Sequence, residues 1–270
     1  DGTLPVSLGD CCPAGKGAFI EPIRFAYALP EEVGMDGALF AQIDSIAARG
    51  IREMAYPGCQ ILVARKGKIV YDRNFGYHTY ENVLPVESSD LYDVASLTKI
   101  MASVPALMHL QDAGEFDLDK TLGDYLHFIP IDSPYHGMTL RKVLAHQAGL
   151  IPWIPFYVKT VADGEPRRDV YRVTPSEEFP IRVAEDLYIR QAVSDSLIWR
   201  LLDTKLRSRR EMEDSEYKYS DLGYYFVKEI VQALSGMLLN EYVAENFYEP
   251  LGLTTMGYLP RERFPLDRIT

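Results

Sequence analysis

The sharpest chemical signal in this 270-residue sequence is the tetrapeptide Ser96-Leu97-Thr98-Lys99. Residues three apart on a helix occupy neighbouring turns of one face, so an amine at 99 can reach a hydroxyl at 96. A serine becomes a nucleophile at neutral pH only with a base beside it. A lysine can be that base when burial or a neighbouring cation lowers its pKa. At a helix start, Ser96 also meets the positive end of the helix dipole, which favours negative charge developing on an attacked carbonyl. A plainer reading stands beside this one, because many helices open on a serine cap and carry an exposed lysine in the first turn.

The flanks bear on that choice. Asp93-Val94-Ala95 before the motif and Ile100-Met101-Ala102 after it predict a helix buried on most sides. A lysine in so apolar a setting needs a polar partner. Tyr219-Ser220-Asp221, a polar turn just ahead of an amphipathic helix, can supply one. Ser220 or Asp221 also makes an ordinary helix cap, a reading that leaves Tyr219 without a task.

The elements that must position these residues follow from periodicity. Residues 1–30, punctuated by Gly and Pro, read as a linker or the tail of a preceding domain. A helix is predicted from about Met35 to Ala48, with Leu39, Ile43, Ile46 and Ala47 on one face and Gly50 closing it. Gln60–Ala64 and Lys68–Tyr71 form a hairpin around Arg65-Lys66-Gly67. After Asp90 the pattern turns mainly helical. Leu97–Ala113 reads as one long helix kinked by Pro105, which has no N–H to give the preceding turn. Thr139–Ala148 reads as a shorter helix ended by Gly149. Beyond Asp221, Leu222, Phe226, Ile230 and Leu234 mark a helix ended by Ser235-Gly236, and a second runs from about Leu238 to Phe247. Ile151–Asp186, rich in Pro, aromatics and charge, shows no clear period.

Composition narrows the class. An apolar share of 47% and a charged share of 25% are those of a globular protein with a sizeable core. Lys plus Arg is 28 against 39 Asp plus Glu, a net charge of −11. Nucleic-acid binding relies on basic side chains displacing counterions from phosphate, so nucleic acid is not an expected partner. The densest basic cluster, Arg207–Arg210, is followed at once by Glu211, Glu213 and Asp214. Cys11, Cys12 and Cys59 form neither a disulfide framework nor a zinc site. His78, His109, His127 and His136 have no metal-type spacing and no partner motif. No window reaches the roughly 18 apolar residues of a membrane span, and Asp1–Gly17 lacks the build of a signal peptide. A chain that begins without Met is expected to be a piece of a longer one.

These residues carry a family resemblance. The chain resembles the serine β-lactamase and penicillin-binding-protein superfamily, in particular class C β-lactamase-like esterases and D-amino-acid peptidases. In that family Ser-x-x-Lys opens a buried central helix and a Tyr-x-Asn-type turn faces it. Tyr56-Pro57-Gly58-Cys59-Gln60, Gly76-Tyr77, Asp117-Leu118-Asp119, His146-Gln147-Ala148-Gly149-Leu150 and Pro250-Leu251-Gly252-Leu253 match further turns in the family's order, from about Glu31 to Tyr258. The resemblance implies an α/β fold: an antiparallel sheet with flanking helices, plus a mostly helical subdomain from about Asp90 to Tyr258, with the site in the cleft between. Residues 31–270 are then one serine hydrolase domain without metal or cofactor. Ser96 would attack a carbonyl, Lys99 take its proton, Tyr219 relay a proton to the leaving group, and Asp221 bind substrate. The Ser96 N–H would be half of an oxyanion hole, and His146 would fix a turn.

Two departures qualify this. Asp221 stands where β-lactamases carry Asn, and a carboxylate only accepts hydrogen bonds whereas an amide also donates. That weakens β-lactam or peptide recognition relative to an esterase or unusual amidase. The Lys/His-Ser/Thr-Gly strand is absent, so the resemblance implies further strands beyond Thr270 and little turnover without them. A second resemblance rests on Gly2-Thr3-Leu4-Pro5-Val6-Ser7, which is similar to the closing strand of family 3 glycoside hydrolases. It implies a linked glycoside hydrolase and a periplasmic or otherwise extracytoplasmic, cell-wall setting. The expected function is acyl-enzyme hydrolysis of a small-molecule or peptidoglycan-derived amide or ester. The alternatives are a true β-lactamase and a non-catalytic, muropeptide-binding accessory domain of a glycosidase.

Overall fold

The computed structural model describes residues 2–3, 17–18, 25–184, 186–214 and 216–270. Leu4–Ser7, Cys11 and Cys12 lie outside the described residues. The described chain forms two compact units, one holding residues 25–95 with Gly257–Thr270, the other Ser96–Met256.

In the first unit a helix, Phe40–Arg52, packs on a three-stranded sheet. The predicted hairpin is there, as Gly58–Arg65 antiparallel to Lys68–Gly76, turned by Lys66 and Gly67 at φ 51° and 71°. Two left-handed residues give the hairpin turn whose twist suits right-handed strands. The third strand, Ala26–Tyr27, lies within the stretch expected to be linker and runs parallel to Lys68-Ile69. Two residues are too few to show a strand's period, which is why the sequence hides it. The helix starts later than Met35, after short 3₁₀ turns at Pro30–Val33 and Gly37–Leu39. Nor does Gly50 close it. A Cβ at Gly50 would run into the Tyr56 ring, so the glycine serves close approach and the helix continues to Arg52.

The chain leading towards Ser96 is tied down within this unit. His78 Nε2 and Asp90 Oδ2 meet at 2.8 Å with both side chains buried, and the same Asp90 oxygen accepts the Glu87 N–H at 2.6 Å. His78 therefore has a partner that sequence pattern does not reveal. Leu91 N–H donates to Arg268 O at 2.7 Å, and Thr270 N–H returns to Leu91 O at 3.0 Å.

The second unit is built on two helices. The first runs from Leu97 to Asp112, but Lys99–Ser103 forms a π turn before regular α-helix at Val104–Asp112. Pro105 is the reason. Its missing N–H would leave a gap in an α ladder, and the widened turn absorbs it, with Val104 N–H bonding back to Lys99 O. The carbonyl four residues before Pro105 belongs to Met101, and the buried Tyr248 hydroxyl donates to it at 2.9 Å. The predicted kink is thus a π turn with a side-chain patch.

The second helix, Leu222–Ser235, ends as expected at left-handed Gly236. Leu222, Phe226, Val227, Ile230 and Val231 are buried on it, and it touches both the long helix and Leu140–Leu144. A Cβ on Gly223 would lie 2.8 Å from Val143 Cγ1, so glycine permits this close approach. The Leu140–Leu144 helix stops short of the expected Ala148, because His146 turns left-handed at φ 58°. The last predicted helix divides into Leu239–Val243 and a π turn at Ala244–Tyr248. The stretch without a readable period contains a two-residue hairpin, Val161–Ala162 with Glu165–Pro166. A small sheet follows, with Leu187–Ile189 between Tyr171–Arg172 and Ile181–Ala184, and then a helix at Gln191–Leu202. No described helix is long and apolar enough to cross a membrane.

Tyr248→Phe tests the proline repair. Leaving the Met101 carbonyl without its donor should cost about 1–3 kcal/mol, read as a lower urea midpoint. An unchanged midpoint would mean that the π turn alone satisfies the backbone.

Candidate active site

Ser96 stands on the surface just ahead of the long helix. Ala95 before it is held at φ 44°, a left-handed conformation for a residue with a Cβ. Its N–H is clamped by Asp93 Oδ1 at 2.7 Å. Strain of this kind, of order 1–3 kcal/mol, persists only where the surroundings impose it, and it gathers at functional sites.

Lys99 joins the pieces that the sequence singles out. Its Nζ donates to Ser96 Oγ at 3.0 Å and to Asp221 Oδ1 at 2.6 Å. The aliphatic flanks do not supply its burial as expected, since Val94, Leu97 and Ile100 are exposed. Aromatic rings supply it instead. The ammonium lies 5.2 Å from the Tyr219 ring centroid and 5.4 Å from that of Tyr224, at cation–π range. The Lys99 side chain is left only 14% exposed.

The condition under which a lysine serves as a base, a lowered pKa, is not met by Lys99 at rest. Burial does pull it down, but hydrogen bonds to Asp221 and Tyr219, with the Asp221 charge, outweigh that and hold it above the ordinary lysine value. At neutral pH Lys99 is an ammonium donating to Ser96, and it must lose a proton before it can accept one.

Asp221 is not the helix cap. It makes no side-chain cap hydrogen bond. Ser220 takes that work: its hydroxyl accepts from Leu222 N–H at 3.2 Å and donates to Ile151 O at 2.6 Å. Asp221 N–H donates to Pro152 O at 2.8 Å, which leaves the carboxylate free to turn to Lys99. Its side chain remains 46% exposed.

The Tyr219 turn is held by a residue whose part the sequence understates. His146 O accepts the Lys218 N–H at 2.9 Å, and His146 Nδ1 accepts the Ser220 N–H at 3.2 Å, one bond on either side of Tyr219. The imidazole also lies against the Tyr219 ring, centroids 4.4 Å apart. An Nδ1 that accepts must be unprotonated, so His146 is neutral with its hydrogen on Nε2. Burial, then the Lys99 charge, holds its pKa below the usual histidine value. Only the left-handed break after Leu144 brings the ring there, and sequence pattern carries no signal for it. Ser96, Lys99, Tyr219 and Asp221 are all residues of the second unit.

The family model described as beta-lactamase matches residues 43–266. A provisionally named D-alanyl-D-alanine carboxypeptidase of Escherichia coli O157:H7 is 28% identical over 86% of this chain and 50% of its own length. Penicillin-binding protein 4* of Bacillus subtilis is 22% identical over 76% of this chain and 39% of its own. The octameric penicillin-binding protein homologue of Pyrococcus abyssi superposes with a TM-score of 0.59 at 21% identity, over 86% of this chain and 47% of that one. The chain thus spans about half the length, or less, of these relatives. The fold they share is the β-lactamase/transpeptidase-like one, with helices and small sheets.

The bracket around Tyr219 can be tested at His146. Asn tolerates the left-handed backbone and offers an acceptor, whereas Phe keeps a ring, strains the backbone and accepts nothing. His146→Phe should therefore lose about 1–3 kcal/mol in chemical denaturation, and His146→Asn should lose less. A folded-state histidine pKa below the unfolded one gives stability that is present above the unfolded value and lost as pH falls through the folded one. The wild type should accordingly lose more stability between pH 7 and pH 5 than His146→Asn does. Equal pH dependence would show that His146 is not held neutral.

Proposed function

The chain belongs to the beta-lactamase family, and within it we propose a serine acyl-hydrolase of the Ser-x-x-Lys type. It acts through an acyl-enzyme on a cell-wall-related amide or ester. The observation that carries this reading is the position of Lys99 Nζ, 3.0 Å from Ser96 Oγ and 2.6 Å from Asp221 Oδ1.

The chemistry follows from that geometry. Lys99, once it has shed a proton, accepts the Ser96 hydroxyl proton as Oγ attacks the carbonyl carbon. The resulting oxyanion is met by the Ser96 N–H at the positive end of the helix. Tyr219, whose ring lies 5.2 Å from Lys99 Nζ, passes the proton to the departing oxygen or nitrogen. Water then attacks the acyl-enzyme by the reverse route. Relatives named as a D-alanyl-D-alanine carboxypeptidase and a penicillin-binding protein support a peptidoglycan-derived substrate and a place outside the cytoplasm.

The resting ammonium on Lys99 favours one competing reading, a non-catalytic domain that binds muropeptide beside a linked glycosidase. A fluorophosphonate separates the two, because it captures an activated serine and ignores a merely exposed one. The expected adduct is on Ser96, absent in Ser96→Ala and at least tenfold slower to form in Lys99→Ala, a loss of about 1.4 kcal/mol or more in barrier terms. An adduct on another serine, or none at any pH, would remove the hydrolase reading.

A further inference from the structure

Resting on Ser96 as nucleophile, we propose that the Lys99–Asp221 ion pair is a lock opened by the substrate. An acyl donor with an ammonium group near its scissile carbonyl docks on the Asp221 carboxylate and releases Lys99 to serve as base.

Three observations carry this. Asp221 is held by Lys99 through Oδ1 alone, and no other side-chain hydrogen bond or ion pair engages it among the described residues. A carboxylate offers about four lone-pair sites on two oxygens, so acceptor capacity remains at a side chain that is half exposed. Because it can only accept, its partner must bring N–H or O–H groups, and a cation gains most from it. Secondly, among the described residues Lys99 and Asp221 make an ion pair only with each other. Titratable groups beside the pair include the imidazole of His146 and the phenols of Tyr219, Tyr224 and Tyr225. His146 is neutral, and burial pushes the Tyr224 and Tyr225 phenols up. Thirdly, Lys99 at rest donates to Ser96 and cannot act until it loses a proton.

A second cation on Asp221 acts twice in the required direction. It weakens the carboxylate's hold on Lys99, and its own charge repels the ammonium. Lys99 then releases one proton to solvent. The Ser96 O–H bond breaks towards Lys99 as the Oγ–carbonyl bond forms, and the carbonyl π pair becomes the oxyanion. That pair re-forms the carbonyl as the leaving-group bond breaks, and the proton on Lys99 goes to the leaving atom. A donor with a carboxylate in the same place is repelled by Asp221 and leaves Lys99 charged.

Three p-nitrophenyl esters of nearly equal length test this in the full chain: β-alanyl (cationic), butyryl (neutral) and hemisuccinyl (anionic). The readout is the burst of p-nitrophenolate that exceeds the Ser96→Ala background. Each unit by which the Lys99 pKa falls changes its neutral fraction tenfold, so β-alanyl should acylate about tenfold faster than butyryl, and hemisuccinyl should be slowest. Salt at about 0.5 M should shrink the spread by screening. Asp221→Asn should speed the butyryl and hemisuccinyl esters and flatten the order. Equal wild-type rates, a fastest hemisuccinyl ester, or an order unchanged in Asp221→Asn would overturn the lock while leaving Ser96 as nucleophile. Should that variant not fold, the wild-type order and its salt dependence still decide. No burst with any ester would remove the hydrolase reading and the lock together.

Discussion

A lysine ammonium partly withdrawn from water among aromatic rings gains from a counter-charge, and the architecture around Ser96 supplies it. Lys99 is fixed to the serine by helix spacing, so its partner has to come from elsewhere in the chain. Asp221, 122 residues on, supplies it at 2.6 Å. That carboxylate can turn inward only because Ser220 does the capping, and the turn keeps its shape because His146 grips it on both sides of Tyr219. Gly223 then lets the Leu140–Leu144 helix come close enough for His146 to reach. A chain of ordinary packing decisions thus serves one ion pair.

The pair also sets the chemical state of the site. With an amide at 221 the lysine would lose the charge that most offsets burial, and burial favours a neutral amine. With Asp221 the balance tips the other way, and the resting site holds an ammonium and a carboxylate beside the serine hydroxyl. One oxygen in place of one nitrogen therefore favours the charged form of the lysine beside Ser96.

Much of this is legible in the sequence, for identifiable reasons. Ser96 and Lys99 stand three apart, and helix geometry brings them together without tertiary information. The hairpin at Lys66-Gly67 and the helix face Leu222, Phe226 and Ile230 repeat at the spacing their elements demand. What stays hidden is non-local. The Asp221 side chain reads equally as a cap until Ser220 is seen to have that role. The π turn at Lys99–Ser103 needs Tyr248 from far along the chain to complete it. The strand Ala26–Tyr27 is too short to carry a period. His146 leaves its helix through a backbone conformation that its residue type does not announce.

The protonation state of Lys99 is the quantity on which all of this turns. A ¹³C/¹⁵N NMR titration of the Lys99 side chain, assigned by its loss in Lys99→Arg, reads that state directly. The ion pair requires Lys99 to stay charged beyond the ordinary lysine midpoint of about 10.4, and to titrate at lower pH once Asp221 is replaced by Asn. A Lys99 that titrates below the ordinary midpoint with Asp221 in place would contradict it, and one that titrates below neutral pH would give Ser96 a neutral base at rest.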